Sequence, residues 1–236
     1  MPARFVAVGE LLLDVLADGA GHDARIRVQP AGSAFRAAVA AVAAGAEATL
    51  IGTVGDDPAG RMILTELAAH GVHAEVTVAD GPTGTFLLAG GEIRVDRGVG
   101  HDVVVPERIE ADAVLVSGYI PAAGEALAAA RAPWVALDAA RLTVLPPGGN
   151  VVFASRPDDD AHPDAGGRLA IVTRGARGAI AFDGERVEEV RPARSAADAP
   201  GSGDVFAATT LVELARGADL RDALERATEA ALDSLV

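Results

Sequence analysis

The stretch of the chain with the most chemical promise is Asp198-Ala199-Pro200-Gly201-Ser202-Gly203-Asp204, which runs straight into the apolar, helix-like segment Val205–Arg216. Gly201, Ser202 and Gly203 place small, flexible residues just ahead of a helix. Their amides and the first helical amides can converge on an anion, assisted by the helix dipole. Asp204 stands at the mouth of the same helix. A carboxylate repels phosphate, so it suits a different task there: accepting the proton of a hydroxyl that attacks a bound phosphoryl group. Taken alone, Gly-Ser-Gly-Asp reads as readily as a loop with a helix cap.

A second candidate is Asp14, an isolated carboxylate at the carboxyl end of the first strand, which the apolar run Arg4–Val8 opens. Open α/β sheets bind ligands at the carboxyl ends of their strands, and a carboxylate there can accept hydrogen bonds from two neighbouring hydroxyls, as on a polyol. Gly32 lets backbone approach a ligand closely, or simply begins a helix. Asp56 falls in Gly55-Asp56-Asp57-Pro58, which reads as a turn with helix-capping acids. The run Asp158-Asp159-Asp160 with His162 reads as a solvated face rather than a dedicated metal cluster. The histidines at 22, 70, 73, 101 and 162 have no ligand spacing.

Composition narrows the chemistry. The 236 residues include no cysteine, and all 20 basic residues are arginine. This excludes disulfide scaffolds, thiolate metal sites, cysteine nucleophiles, Schiff-base lysines and the P-loop lysine. Phosphate chemistry must lean on backbone amides, arginine and metal. A net charge of −14 disfavours non-specific binding to nucleic acid or an anionic membrane. No apolar run approaches the roughly 20 residues of a membrane span, and Met1-Pro-Ala-Arg does not open a signal peptide. The expectation is a soluble, cytoplasmic protein.

Positioning these residues requires an alternation of elements. Strands are predicted at Arg4–Val8, Thr49–Val54, Ala113–Val116, Val135–Asp138, Val151–Ala154, Leu169–Thr173 and Ala179–Phe182. Helices are predicted at Ser33–Ala44, Ala59–His70, Glu125–Arg131, Val205–Arg216 and Leu220–Leu235. This pattern implies α/β architecture with a largely parallel sheet. Asp18–Gln29 and the hairpin Thr85–Leu88/Glu92–Asp96 break it, suggesting a small β-element standing off the main sheet.

Read together, the motifs resemble the ribokinase-like (PfkB) carbohydrate kinase family. Asp198–Asp204 resembles its D-T-x-G-A-G-D signature, with Ala199 and Ser202 as small replacements. Val8–Asp14 is similar to the G-E-x-L-x-D opening of fructokinase-like members, Pro30–Ala38 to P-G-G-x-x-x-N-x-A, and Ile51–Gly60 to G-x-V-G-x-D-x-x-G. Arg97–Asp102 resembles an R-x-x-x-A-D stretch, and Thr173–Gly178 the T-x-G-x-x-G turn beside the nucleotide.

The resemblance implies one three-layer α/β/α domain over residues 1–236, with lid segments near 18–29 and 85–99. It implies transfer of the ATP γ-phosphate, with Mg2+, to a hydroxyl of a small sugar or sugar acid, fructose- or 2-keto-3-deoxygluconate-like. Asp204 would be the base and Gly201, Ser202 and Gly203 the anion hole. Asp14, Gly32, Ser33, Arg36 and Arg97 would bind substrate, and Thr173, Gly175, Gly178, Gly201 and Gly203 the nucleotide. Lids of this family pair between protomers, so Ile26, Val28, Phe86 and Leu88 would join a homodimer.

Three departures accompany the resemblance. Arg36 replaces the family's sugar-binding Asn, a donor-only cation that suits an acceptor with a negative group. Arg156 and Asp159 fall in the places of the N-x-x-E motif, leaving Asp159 as the acid that organises magnesium. The chain is also short for the family, and Thr228 aligns with an Asn near the adenine. A catalytically impaired sugar- or nucleotide-binding descendant, and a nucleoside or vitamin kinase of the same superfamily, are the alternatives.

Overall fold

In β1 (Arg4–Val8), Phe5 and Ala7 turn to one face while Val6 and Val8 turn to the other. Both sets are buried, because a parallel sheet in a layered protein has no solvated face. The computed structural model describes residues 1–19, 21–139, 142–156, 164–184, 186–193 and 201–234. After β1 come β2 (Leu12–Asp18), β3 (Arg25–Ala31), α1 (Ser33–Ala43), β4 (Glu47–Gly55) and α2 (Pro58–Ala69). Then follow β5 (His73–Ala79), β6 (Thr83–Ala89), β7 (Glu92–Gly98), β8 (Ile109–Glu110), β9 (Ala113–Ser117), α3 (Ala123–Ala129) and β10 (Ala130–Arg131). The chain continues through β11 (Trp134–Asp138), β12 (Val151–Ser155), β13 (Leu169–Thr173), β14 (Ala179–Asp183), β15 (Arg186–Val190), α4 (Ser202–Ala215) and α5 (Leu220–Asp233).

Among the described residues, nine strands form the main sheet in the order β15-β14-β13-β12-β11-β9-β1-β4-β5. It is parallel from β5 to β13, and β14 and β15 add antiparallel at one edge. On one face Phe5, Ala7, Leu50 and Leu115 pack beneath α1, α2, α4 and α5 through Ala37, Ile63, Leu211 and Leu224. On the other, Val6, Val8, Val114 and Val116 meet Ala126 and Leu127 of α3. This is the expected three-layer α/β/α architecture. Helix α3 stops at Ala129, short of the expected Arg131, because residues 130–131 pair with β8.

A second sheet, ordered β3-β2-β6-β7, stands apart and contains the expected lid segments. Its register corrects two expectations. Asp14 is not at the end of the first strand but inside β2, opposite Gln29 of β3 and Phe86 of β6. Phe86 lines the cleft and shares that face with Leu88, whereas Val28 pairs with Val15 on the opposite face along with Ile26. The four apolar residues therefore do not form one contact surface, since successive residues of a strand point opposite ways.

Helix α2 ties the two sheets together. Asp57 caps it, accepting from the Gly60 amide at 2.7 Å, with Pro58 in the first turn. The same carboxylate accepts from the amide and hydroxyl of Thr83, where β6 begins, at 2.8 and 2.7 Å. Asp56 only pairs with exposed Arg61, so the capping role falls on its neighbour.

Candidate functional site

Beneath the second sheet, over the carboxyl ends of β11, β12 and β13, lies a cleft of about 780 Å³. Ligands of open α/β sheets occupy this position because loops diverge there and helix N-termini point inward. Its lining brings together Asp14, Gly32, Ser33, Arg36, Arg97, Thr173 and Gly201–Asp204, contributed by five separate segments of the chain.

Each residue is held by local structure. Gly201 is the N-cap of α4, in left-handed geometry at φ 96°, where a side chain is strained. The turn puts the start of α4, where the helical hydrogen-bond ladder begins, in the lining of the cleft. Asp204 lies in that first turn and is not its cap, so the capping alternative for this residue does not hold. Gly32 is the N-cap of α1 at φ 105°, and a Cβ there would stand 2.3 Å from the Glu10 carbonyl oxygen. Close packing of backbone on backbone requires a glycine at this position, which also lines the cleft.

Electrostatics unites the cleft. Arg36 reaches from α1 to donate to Asp14 at 2.6 Å, and its other terminal nitrogen lies 3.8 Å from Asp204. Arg97 of β7 pairs with Glu10 and stacks over Tyr119, its Cζ 5.2 Å from the ring centre. Burial pushes Glu10 and Asp14 above the usual carboxylate range, opposed by Arg97 and Arg36 respectively. Burial, reinforced by the neighbouring Asp138 and by Glu10, pushes Asp204 up to about 8, although Arg36 and a hydrogen bond from Ser33 pull the other way. A carboxyl with that affinity exchanges its proton near neutral pH, as a general acid or base must.

Glu10, Tyr119, Asp138 and Ser155 also line the cleft and were not foreseen as site residues. Two left a signal: Glu10 follows a glycine at the end of a buried strand, and Asp138 closes the buried strand β11. Tyr119 and Ser155 left none.

The nucleotide residues divide. Thr173 reaches the cleft from the end of β13. Gly175 and Gly178 do not; Gly178, at φ 88°, lies against Val190, whose carbonyl oxygen would be 2.1 Å from a Cβ. Thr228 lines a separate hollow of about 440 Å³ with Val190 and Arg221. Asp198, Ala199, Pro200 and the acidic run that includes Asp159 lie outside the described residues. Among the described residues no group of three or more His, Cys, Asp or Glu is placed to hold a metal ion. An Mg2+ carried by a nucleotide needs only one or two carboxylates beside the phosphates, and the carboxylate of Asp138 in the lining could offer such an ion a hard oxygen. Among the described residues no helix is long and apolar enough to cross a membrane.

The sequence profile of the pfkB family carbohydrate kinases matches residues 3–129 and 160–232. The bifunctional protein HldE of Streptomyces coelicolor is 34% identical over 96% of this chain, which spans 58% of that protein's length. Adenosine kinase from Sinorhizobium meliloti superimposes with a TM-score of 0.81 at 20% identity, covering 100% of this chain and 94% of that one. Arabidopsis thaliana ribokinase, solved with ribose and ATP, gives 0.76 at 19% identity, with 98% and 92% covered. At these identities the two structures share the fold.

Proposed function

The chain belongs to the pfkB family of carbohydrate kinases, and from that premise we propose that it transfers the γ-phosphate of ATP to a hydroxyl of a small sugar or sugar acid, fructose- or 2-keto-3-deoxygluconate-like. The observation that carries the reading is Asp204. This half-buried carboxyl, raised to about 8, stands in the first turn of α4 beside Gly201–Gly203, across one arginine from Asp14.

In this reading Asp14 accepts from acceptor hydroxyls, with Ser33 and Arg97 completing that half of the cleft. The amides of Gly201, Ser202 and Gly203 hold the transferring phosphate, and Asp204 takes the proton from the attacking hydroxyl. Thr173 marks the nucleotide's way in, with Gly175 and Gly178 shaping the turn behind it. Magnesium enters with ATP, and Asp138 and Asp159 are its proposed carboxylates. Two copies would pair through the face bearing Ile26 and Val28, which are 64% and 47% exposed. Sedimentation showing only monomer at micromolar concentration opposes that pairing.

The deciding experiment is ADP release across a panel of sugars and sugar acids with Mg-ATP. One acceptor should support turnover that the D204N variant loses. Sugar binding without phosphate transfer in the wild type would instead identify a binding protein.

A further inference from the structure

We propose that Arg36 is a catalytic residue whose guanidinium carries the charge of the phosphoryl group in flight, while the same fork holds Asp14 and Asp204 in register with it. This rests on the kinase reading above. Three placements support it. Arg36 Nη2 donates to Asp14 at 2.6 Å, and Nη1 lies 3.8 Å from Asp204. Its Nε and Cζ lie 2.7 and 3.3 Å from where a side chain on Gly201 would begin. One side chain thus touches the acceptor carboxylate, the base and the backbone turn where the phosphate would rest. A planar fork with five donors can serve all three directions at once; a lysine ammonium is a single point charge.

The chain has no lysine. Among the described residues lining the cleft, the arginines are Arg36 and Arg97, and Arg97 is engaged by Glu10 and Tyr119. Arg36 is the one that packs on the start of α4. Its side chain is 25% exposed, so an incoming group can reach it. A phosphoryl group arriving at the start of α4 meets Arg36 together with a helix N-terminus that favours negative charge.

In the step, the acceptor oxygen bonds to the γ-phosphorus and the bond from that phosphorus to the β–γ bridging oxygen breaks. The electron pair leaves with ADP, and the hydroxyl proton passes to Asp204. Charge spread over the oxygens of the transferring group then faces Arg36, as it faces an arginine supplied in cis in other phosphoryl-transfer enzymes.

The test compares wild type, R36A and R36K for ADP release, and for affinity to ADP and the non-hydrolysable analogue AMP-PNP. R36A should lower turnover at least about 100-fold and abolish the preference for AMP-PNP over ADP, leaving ADP affinity within about twofold. R36K should recover less than about a tenth of the loss. Because R36A strips the charged partner from buried Asp14, the R36A/D14N variant carries the nucleotide comparison if the single variant does not fold. The proposal is overturned if R36A keeps turnover within about threefold, raises it, or weakens both nucleotides equally. A rise in KM for an anionic acceptor with kcat unchanged overturns it in favour of Arg36 reading acceptor charge, and a wild type that does not prefer AMP-PNP also overturns it. A wild type that binds both nucleotides but transfers no phosphate overturns the kinase reading, leaving the AMP-PNP comparison to decide Arg36. Binding of neither nucleotide overturns both.

Discussion

A Cβ on Gly201 would stand 2.4 Å from Cδ of Arg36, so the residue that starts α4 and the side chain that crosses the cleft share one space. The glycine is demanded twice, by its left-handed backbone and by its neighbour. G201A should therefore cost about 1–2 kcal/mol, the left-handed penalty, and displace the arginine from its place between Asp14 and Asp204. Urea unfolding gives the first quantity. The second should appear as a joint loss of nucleotide affinity and turnover; a variant with wild-type turnover would show that Arg36 has room to move.

D204N keeps the size of the side chain but cannot accept a proton. Turnover should fall at least about 100-fold, with sugar and ATP affinities little changed, as expected when only the transition state loses a contact. Near-normal turnover would remove Asp204 from the role of base.

The rate should also report the Asp204 proton directly. With the carboxyl raised to about 8 in the free protein, the unprotonated form gains population as pH rises toward that value. The pH profile of kcat/KM should therefore have a rising limb centred near 8. A profile flat from pH 6 to 9 would contradict it (the window is set by the value of about 8).

Stability should move the opposite way. Between the ordinary Asp value of 3.8 and about 8, the folded protein holds a proton on Asp204 that the unfolded chain releases. The folded state therefore loses the advantage of that proton as pH rises through this window. D204N does not titrate, so its melting temperature should gain on the wild type between pH 5 and pH 8, a window inside those two values. A constant difference would mean that the folded carboxyl is not raised.

Asp57 behaves in the reverse sense. Burial raises it, but the amides of Gly60 and Thr83 and the Thr83 hydroxyl outweigh that and hold it below the usual range. Its contribution is present above pH 3.8 and lost as pH falls through the lowered folded value. D57A should cost about 1–2 kcal/mol at neutral pH and loosen the junction of α2 with β6. Calorimetry at neutral pH checks the cost, and no change would discount the cap.

The main sheet was legible because its strands are buried on both faces. Continuous apolar runs such as Ala113–Val116 and Leu169–Thr173 need no partner to be recognised. Strands β2, β5 and β15 were not legible. β5 and the edge strand β15 carry charged or exposed residues, and β2 interrupts its leucines with Asp14. The Gly-Ser-Gly-Asp turn announced itself through local backbone chemistry. Tyr119 and Ser155 did not, because what makes them site residues is proximity to groups far along the chain.

By itself the sequence determined the alternation of elements, the absence of lysine and cysteine chemistry, the glycine turn before α4 and the family. These are local or compositional properties, written in spacing and residue type. Only the tertiary structure decided that Arg36 joins Asp14 to Asp204, that Asp14 belongs to the second sheet, and that Asp138 raises the proton affinity of Asp204. The physical reason is that burial and Coulomb interaction depend on distance in space. Residues 14, 36, 138 and 204 come within reach only once the sheet order is set and α1 and α4 pack side by side upon it.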